Sequence, residues 1–96
     1  MPGVVRSGDR CSGHGCWGSR SNVQASGNVY INGKGAHRLG DGWAIHCCPD
    51  LGCHSGSAAS ASSNVFVNGK GLARIGDSVS CGSRMMQGSS NVFCNG

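Results

Sequence analysis

Seven cysteines and four histidines are the residues of this 96-residue chain best suited to do chemistry. Both types bind zinc-like metals, and thiols can also pair as disulfides. Three Gly-Asp pairs, Gly8-Asp9, Gly40-Asp41 and Gly76-Asp77, give a frame for reading them. His14 follows Asp9 by five residues, His46 follows Asp41 by five, and Cys81 follows Asp77 by four. Three segments therefore offer one strong donor each at nearly matching positions. His54, in "GCHSG", is a fourth. Three imidazoles and one thiolate suit Zn2+, whose structural sites are tetrahedral and four-coordinate. Four protein donors leave no open position for water, so the expected role is a staple between loops. Cys11, Cys16, Cys47, Cys48 and Cys53 compete as donors. There is no CxxC pair to decide among them, and disulfides or free thiols are the other use of these side chains.

A Cys/His hydrolase would need a nucleophile, a base and an orienting group, and no such set stands out. Asp9, Asp41 and Asp77 each follow a glycine in a turn, where a carboxylate caps backbone N–H groups. Their repetition reads as architecture. Arg6, Arg38 and Arg74, three residues earlier, are placed to pair with acids or to line a surface. His37 falls on an expected strand and reads as a surface or packing residue. The opening "MPGVVRSGDR" has no apolar h-region, so no secretory signal is expected, and no stretch has the length of a membrane span. A cytoplasmic origin would keep thiols reduced, which favours metal binding over disulfides.

What must position these donors is a chain with little core of its own. Val, Ile, Leu and Phe number only 16, so a staple is needed for stability. The sequence supplies repetition instead. "GVVRSGD" (3–9), "GAHRLGD" (35–41) and "GLARIGD" (71–77) alternate with "NVYING" (28–33), "NVFVNG" (64–69) and "NVFCNG" (91–96). The NVxxNG phrases predict short strands, and Asn32-Gly33 and Asn68-Gly69 are strong hairpin-turn signals. Return strands are expected at 36–40 and 72–76. Each terminus lacks the half-phrase that the other holds. Closure would pair strand 91–95 with strand 4–7, complete a third hairpin and remove exposed edges. An open meander with frayed ends is the alternative. Segments 10–27, 42–63 and 78–90 lack strand or helix periodicity and read as loops converging on one side. The expected fold is all-β: one domain, 1–96, a small cone of three pseudo-threefold hairpin repeats (about 3–34, 35–70 and 71–96), with the metal site at its apex.

The net charge of +4 comes from scattered lysines and arginines, and the chain has five aromatics. A nucleic-acid surface would cluster the two. A small zinc-binding nucleic-acid module is thus the second reading, and no nucleic-acid partner is expected.

At "NVFVNGK", "RIGD" and the tetrads "GVVR", "GAHR" and "GLAR", the sequence resembles the PAAR-repeat family over essentially its whole length. Each tetrad keeps the arginine and has glycine where the family motif has proline. The resemblance implies a cone that caps the blunt end of a trimeric β-helical spike, one tip per trimer. The spike would be VgrG of a type VI secretion system or the central spike of a contractile phage tail. It also implies an apical zinc held by three His and one Cys, matching His14, His46, His54 and Cys81. The base meeting the spike would use Val29, Ile31, Val65, Val67 and Val92, or the alternate set Tyr30, Phe66 and Phe93. Such a protein is no enzyme. It would be made in the cytoplasm and carried in a virion tail or secreted by a type VI system. It would meet the target membrane mechanically. A bare tip is expected, able to help load a separate effector.

Overall fold

The tetrads build the centre of the molecule. In the computed structural model, which describes residues 1–95, Val5 N–H donates to Ala73 C=O, Ala73 to His37, and His37 back to Val5, at 3.0, 2.9 and 3.0 Å. This is a closed ring of three hydrogen bonds, one from each repeat. Around it, Arg6 bridges Ala36, Arg38 bridges Leu72, and Arg74 bridges Val4. Side chains on an extended segment alternate between faces. Val4, Ala36 and Leu72 accordingly enter one core cluster, with Val67 and Cys94. Val5 and Ala73 enter a second, with Cys11, Trp43, Ala58, Val79 and Met85.

Glycine opens each tetrad because there is no room for a side chain. A Cβ at Gly35 or Gly71 would lie 2.5 Å from the carbonyl oxygen of Ser26 or Ser62, and one at Gly3 would strike Ser89 O. These are threefold-equivalent contacts. Ser26, Ser62 and Ser89 N–H groups in turn donate to Ala36, Leu72 and Val4.

Strands β1 (Tyr30–Ile31) and β2 (Lys34–Gly35) form one hairpin, and β5 (Phe66–Val67) and β6 (Lys70–Gly71) another, when β3 (Gly42–Cys48) and β4 (Gly52–Ser57) are numbered between them. Asn32 and Asn68 turn the chain with φ of 54° and 53°, the left-handed conformation Asn tolerates. Pairing is Tyr30↔Gly35 and Phe66↔Gly71. The termini complete the third copy: Phe93 bridges Gly3, Val4 N–H donates to Val92 C=O, and Cys94 N–H to Pro2 C=O. The closure is the expected one, in a different register. Residues 2–4 pair with 92–94, because Gly3 takes the place of Gly35 and Gly71. The return strands are Lys34–Gly35 and Lys70–Gly71, ending before the expected 36–40 and 72–76 begin. From Ala36 and Leu72 onward the chain leaves its own hairpin to join the central ring. Gly96, the last residue of "NVFCNG" and of the third repeat, lies outside the described residues.

The segments read as loops are ordered. Arg10 bridges Ser21, Gly42 pairs with Ser57, and Ser78 bridges Arg84, so each segment starts as a narrow ladder. The ladders join edge to edge through Asn22↔Trp43, Ala58↔Val79 and Met85↔Cys11, again closing a ring. Most of the middle segment, Gly42 to Ser57, becomes the hairpin β3–β4, with a register shift between Trp43 and His46. Gly, Ser and Cys give these short stretches no apolar alternation to read, yet their backbones pair at the bridges named. The described residues contain no helix.

Each Gly-Asp turn is fixed by its own arginine. The carboxylates of Asp9, Asp41 and Asp77 accept the backbone N–H and the forked guanidinium of Arg6, Arg38 and Arg74, at 2.7–3.1 Å. Two-pronged Arg–carboxylate pairing is both strong and directional. The free prong of Arg6 reaches Asn32, and that of Arg38 reaches Asn68, tying these two turns to the hairpin turns of their own repeats. His37 is fully buried, so the packing half of its reading holds.

Candidate metal centre

Four donors predicted from spacing meet in space. The ligand atoms of His14, His46, His54 and Cys81 all lie within 4.8 Å of one another. His46 and His54 are direct cross-strand partners on β3 and β4. This is why the longest loop gives two ligands: a hairpin sets residues eight apart in sequence side by side. His14 sits in a tight turn closed by reciprocal 2.9 Å bonds between its backbone and that of Trp17. Cys81 sits in the turn from Val79 to Ser83, where Gly82 takes φ 109°.

The donor set fits a metal ion. His54 Nε2 is 2.7 Å from His46 Nε2 and 2.9 Å from His14 Nε2. His46 Nδ1 is 2.8 Å from Gly18 C=O. That carbonyl can only accept, so His46 carries its proton on Nδ1 and presents a bare Nε2 inward. One proton on His54 Nε2 cannot serve both neighbours linearly, and two imidazole lone pairs then face each other at hydrogen-bond distance. A cation among them removes the conflict. The Nδ1–H···O=C contact is the usual outer support of a metal-bound imidazole. A tetrahedral ion with bonds of about 2.0 Å to N and 2.3 Å to S needs donor separations of about 3.3–3.5 Å, within reach of this cluster.

The electrostatics favour unprotonated donors. Desolvation, then the nearby His46 and Arg20, hold His14 below the ordinary histidine range. His54 is lowered by desolvation, then by His46, His14 and Arg20. Burial works to raise the Cys81 thiol, but hydrogen bonds from Ser83 and Arg20 outweigh it and leave the thiol below its usual value.

The other cysteines divide differently from expectation. Cys47 and Cys53, cross-strand partners with Cα atoms 4.0 Å apart, are disulfide-bonded, and so are Cys16 and Cys48, at 5.4 Å. The expectation of reduced thiols fails for these four. Compartment was its only basis, whereas hairpin register puts Cys47 against Cys53. Cys11, Cys81 and Cys94 remain free, Cys94 buried in the first core cluster. The disulfides also explain why Cys16, Cys47, Cys48 and Cys53 do not join the donor cluster. They brace it instead: one ties the His14 turn to β3, the other locks β3 to β4 beside the histidine pair. Sequence reasoning missed Arg20 and Trp17. Arg20 donates to Cys81 Sγ at 3.2 Å, and the Trp17 ring lies 4.9 Å from His14 and 4.7 Å from His54. Neither belongs to a repeated phrase, so no sequence signal marked them.

A search of curated proteins returned no match to the chain. Two overlapping stretches, residues 18–87 and 53–96, match the family described as PAAR motif. Together they hold His46, His54, Cys81 and two of the three tetrads; His14 lies upstream and joins the cluster by geometry. By the extent of that match, the chain belongs to the PAAR-motif family.

Proposed function

We propose that this protein is a structural tip that caps the end of a trimeric β-helical spike, of the VgrG type or of a contractile phage tail. The observation that carries the reading is threefold closure from a single chain. Three hairpins, one of them split across the termini, surround a three-membered hydrogen-bonded ring. A threefold spike end needs one threefold partner, and this chain provides it.

The docking face is the hairpin end. Val29, Ile31, Val65 and Val92 are only partly buried against the first core cluster, and Val67 is buried within it. They form an apolar floor that the chain itself leaves incompletely covered. Tyr30, Phe66 and Phe93, at equivalent positions in the three hairpins, are 59%, 60% and 50% exposed and form its rim. A repeated aromatic set around an apolar floor is the kind of surface that a partner covers. At the other end, Zn2+ on His14, His46, His54 and Cys81 would cross-link all three loops. It would supply coordination bonds where the chain has few apolar contacts. The reading assigns the protein no catalytic step. Cargo loading and mechanical contact with a membrane are consistent with a rigid, cross-linked tip.

The test is to mix the protein with a trimeric spike and measure the mass of the complex. One chain per trimer is expected, and replacing Tyr30, Phe66 and Phe93 together by Ser should weaken it at least tenfold. No complex with any cognate spike, or three chains per trimer, would overturn the proposal.

A further inference from the structure

Arg20 is 6% exposed, yet among the described residues it has no carboxylate partner. A guanidinium does not lose its proton in a protein, so this buried charge must be met by other acceptors. Its nitrogens are all used. Nε donates to Ala44 C=O at 2.8 Å, and Nη1 lies 2.9 Å from Ser83 Oγ and 3.0 Å from Cys11 Sγ. Nη2 lies 3.2 Å from Cys81 Sγ. The plane sits over the Trp43 ring, 5.4 Å from its centre. Space is reserved for it: a Cβ on Gly56 would lie 3.1 Å from Arg20 Nη2, 2.8 Å from Val79 Cγ1 and 3.5 Å from Cys81 Sγ.

These contacts span the three repeats. Arg20 and Cys11 belong to the first segment, Ala44 to the second, Cys81 and Ser83 to the third. Only one of the four metal donors, Cys81, lacks a covalent brace. His14, His46 and His54 are next to the two disulfides, while the Cys81 turn has none. The half-buried Cys81 sulfur also keeps lone pairs that a metal would not use, and donors nearby satisfy them.

We propose that Arg20 is the positioning residue of the metal centre, holding Cys81 Sγ in place as the fourth ligand and satisfying its remaining lone pairs. This rests on the metal reading above. It gives the third repeat the fixation that disulfides give the other two. The fork is what the task requires, since a point charge cannot reach Ala44, Ser83 and both sulfurs at once.

The experiment substitutes Co2+ in the oxidised protein and follows the near-ultraviolet sulfur-to-cobalt charge-transfer band, with Zn2+ affinity from chelator competition. The parent should show the band; Co2+ uptake without it would overturn Cys81 as a ligand, and no uptake of Co2+ or Zn2+ would overturn the metal reading itself. With the band present in the parent, Arg20→Met should weaken or shift it and lower Zn2+ affinity by about 10–100-fold, the usual cost of losing an outer-shell partner. Arg20→Lys should recover part of both. Cys11→Ser should leave the band in place; its loss there would make Cys11 the ligand and overturn the assignment. An unchanged band and affinity in folded Arg20→Met would overturn the role of Arg20. If Arg20→Met does not fold, Arg20→Lys decides: a shifted band supports the proposal and an unchanged one overturns it.

Discussion

Replacing His37 by Asn should remove this residue's share of the protein's loss of stability in mild acid. His37 is wholly buried where its threefold counterparts are Val5 and Ala73. Its Nδ1 donates to Gln24 C=O at 2.8 Å, its Nε2 has no partner, and its ring packs edge-on to Trp43 at 5.3 Å. Burial pushes its pKa down; the Gln24 carbonyl, Asp41 at 4.0 Å and Asp9 pull it back in part, while Arg38 lowers it further. The unfolded chain takes up this proton near pH 6.5 and the folded chain refuses it. Stability is therefore insensitive to His37 above pH 6.5 and falls below it, by at most about 1.4 kcal/mol per pH unit until the folded pKa is reached. From pH 6.5 to pH 5 the loss attributable to His37 is up to about 2 kcal/mol. Asn can keep the hydrogen bond to Gln24 with Nδ2 and cannot titrate. It is smaller, so the variant should be less stable by about 1–2 kcal/mol at pH 7.5. The deficit should vanish or reverse at pH 5. Denaturant melts of both proteins at pH 5.0 and 7.5 measure this, and the difference between them cancels the metal ligands' own titration. A deficit that stays constant across that range would refute the argument.

Two further outcomes follow from the geometry. Gly71→Ala, which drives a Cβ to 2.5 Å from Ser62 O, should cost about 3 kcal/mol or prevent folding. Gly69→Ala meets nothing within 4 Å and should cost only the penalty of its φ of 77°, about 1 kcal/mol; thermal melts of the pair should show that order. Chelator alone should loosen mainly the Cys81 turn, seen as faster hydrogen exchange at 79–83. Chelator with reductant should unfold the metal end entirely, because closing loops of 32 and 6 residues contributes about 4 and 2 kcal/mol by chain entropy. Equal exchange rates in the two conditions would contradict this.

Backbone repetition was legible in the sequence because it is written in residues with narrow conformational uses. Asn-Gly marks positive φ, Gly-Asp marks a capped turn, and an orphaned half-phrase at each end implies closure. The clustering of His14, His46 and Cys81, which could hold a metal, was legible for the same reason, through their distance from Asp9, Asp41 and Asp77. Register was not. Whether residue 3 or residue 4 faces Phe93 depends on which residue can lie against Ser89 O without a Cβ, a contact between segments far apart in sequence. The Cys47–Cys53 disulfide depends likewise on the β3–β4 register, and Cys16–Cys48 on how the His14 turn sits against β3. Arg20 was invisible because a buried arginine has no sequence signature; only its sulfur and carbonyl partners, gathered from three repeats, give it meaning.

Those partners also suggest why the threefold body is one chain. Three identical chains can offer donors to an axial ion only in threes, and all of one kind. Fusing the repeats frees each to differ. The second repeat lengthens its segment into a hairpin and adds His54 across from His46. The third replaces an imidazole with Cys81, and the first adds Arg20 beneath it. The ring below absorbs the asymmetry by swapping one side chain, His37 for Val5 or Ala73, without altering its three hydrogen bonds. At the hairpin end the repeats stay alike, with Tyr30, Phe66 and Phe93 in one register. Symmetry is kept where a threefold partner would dock, and broken at the His/Cys cluster, where four donors could hold an ion.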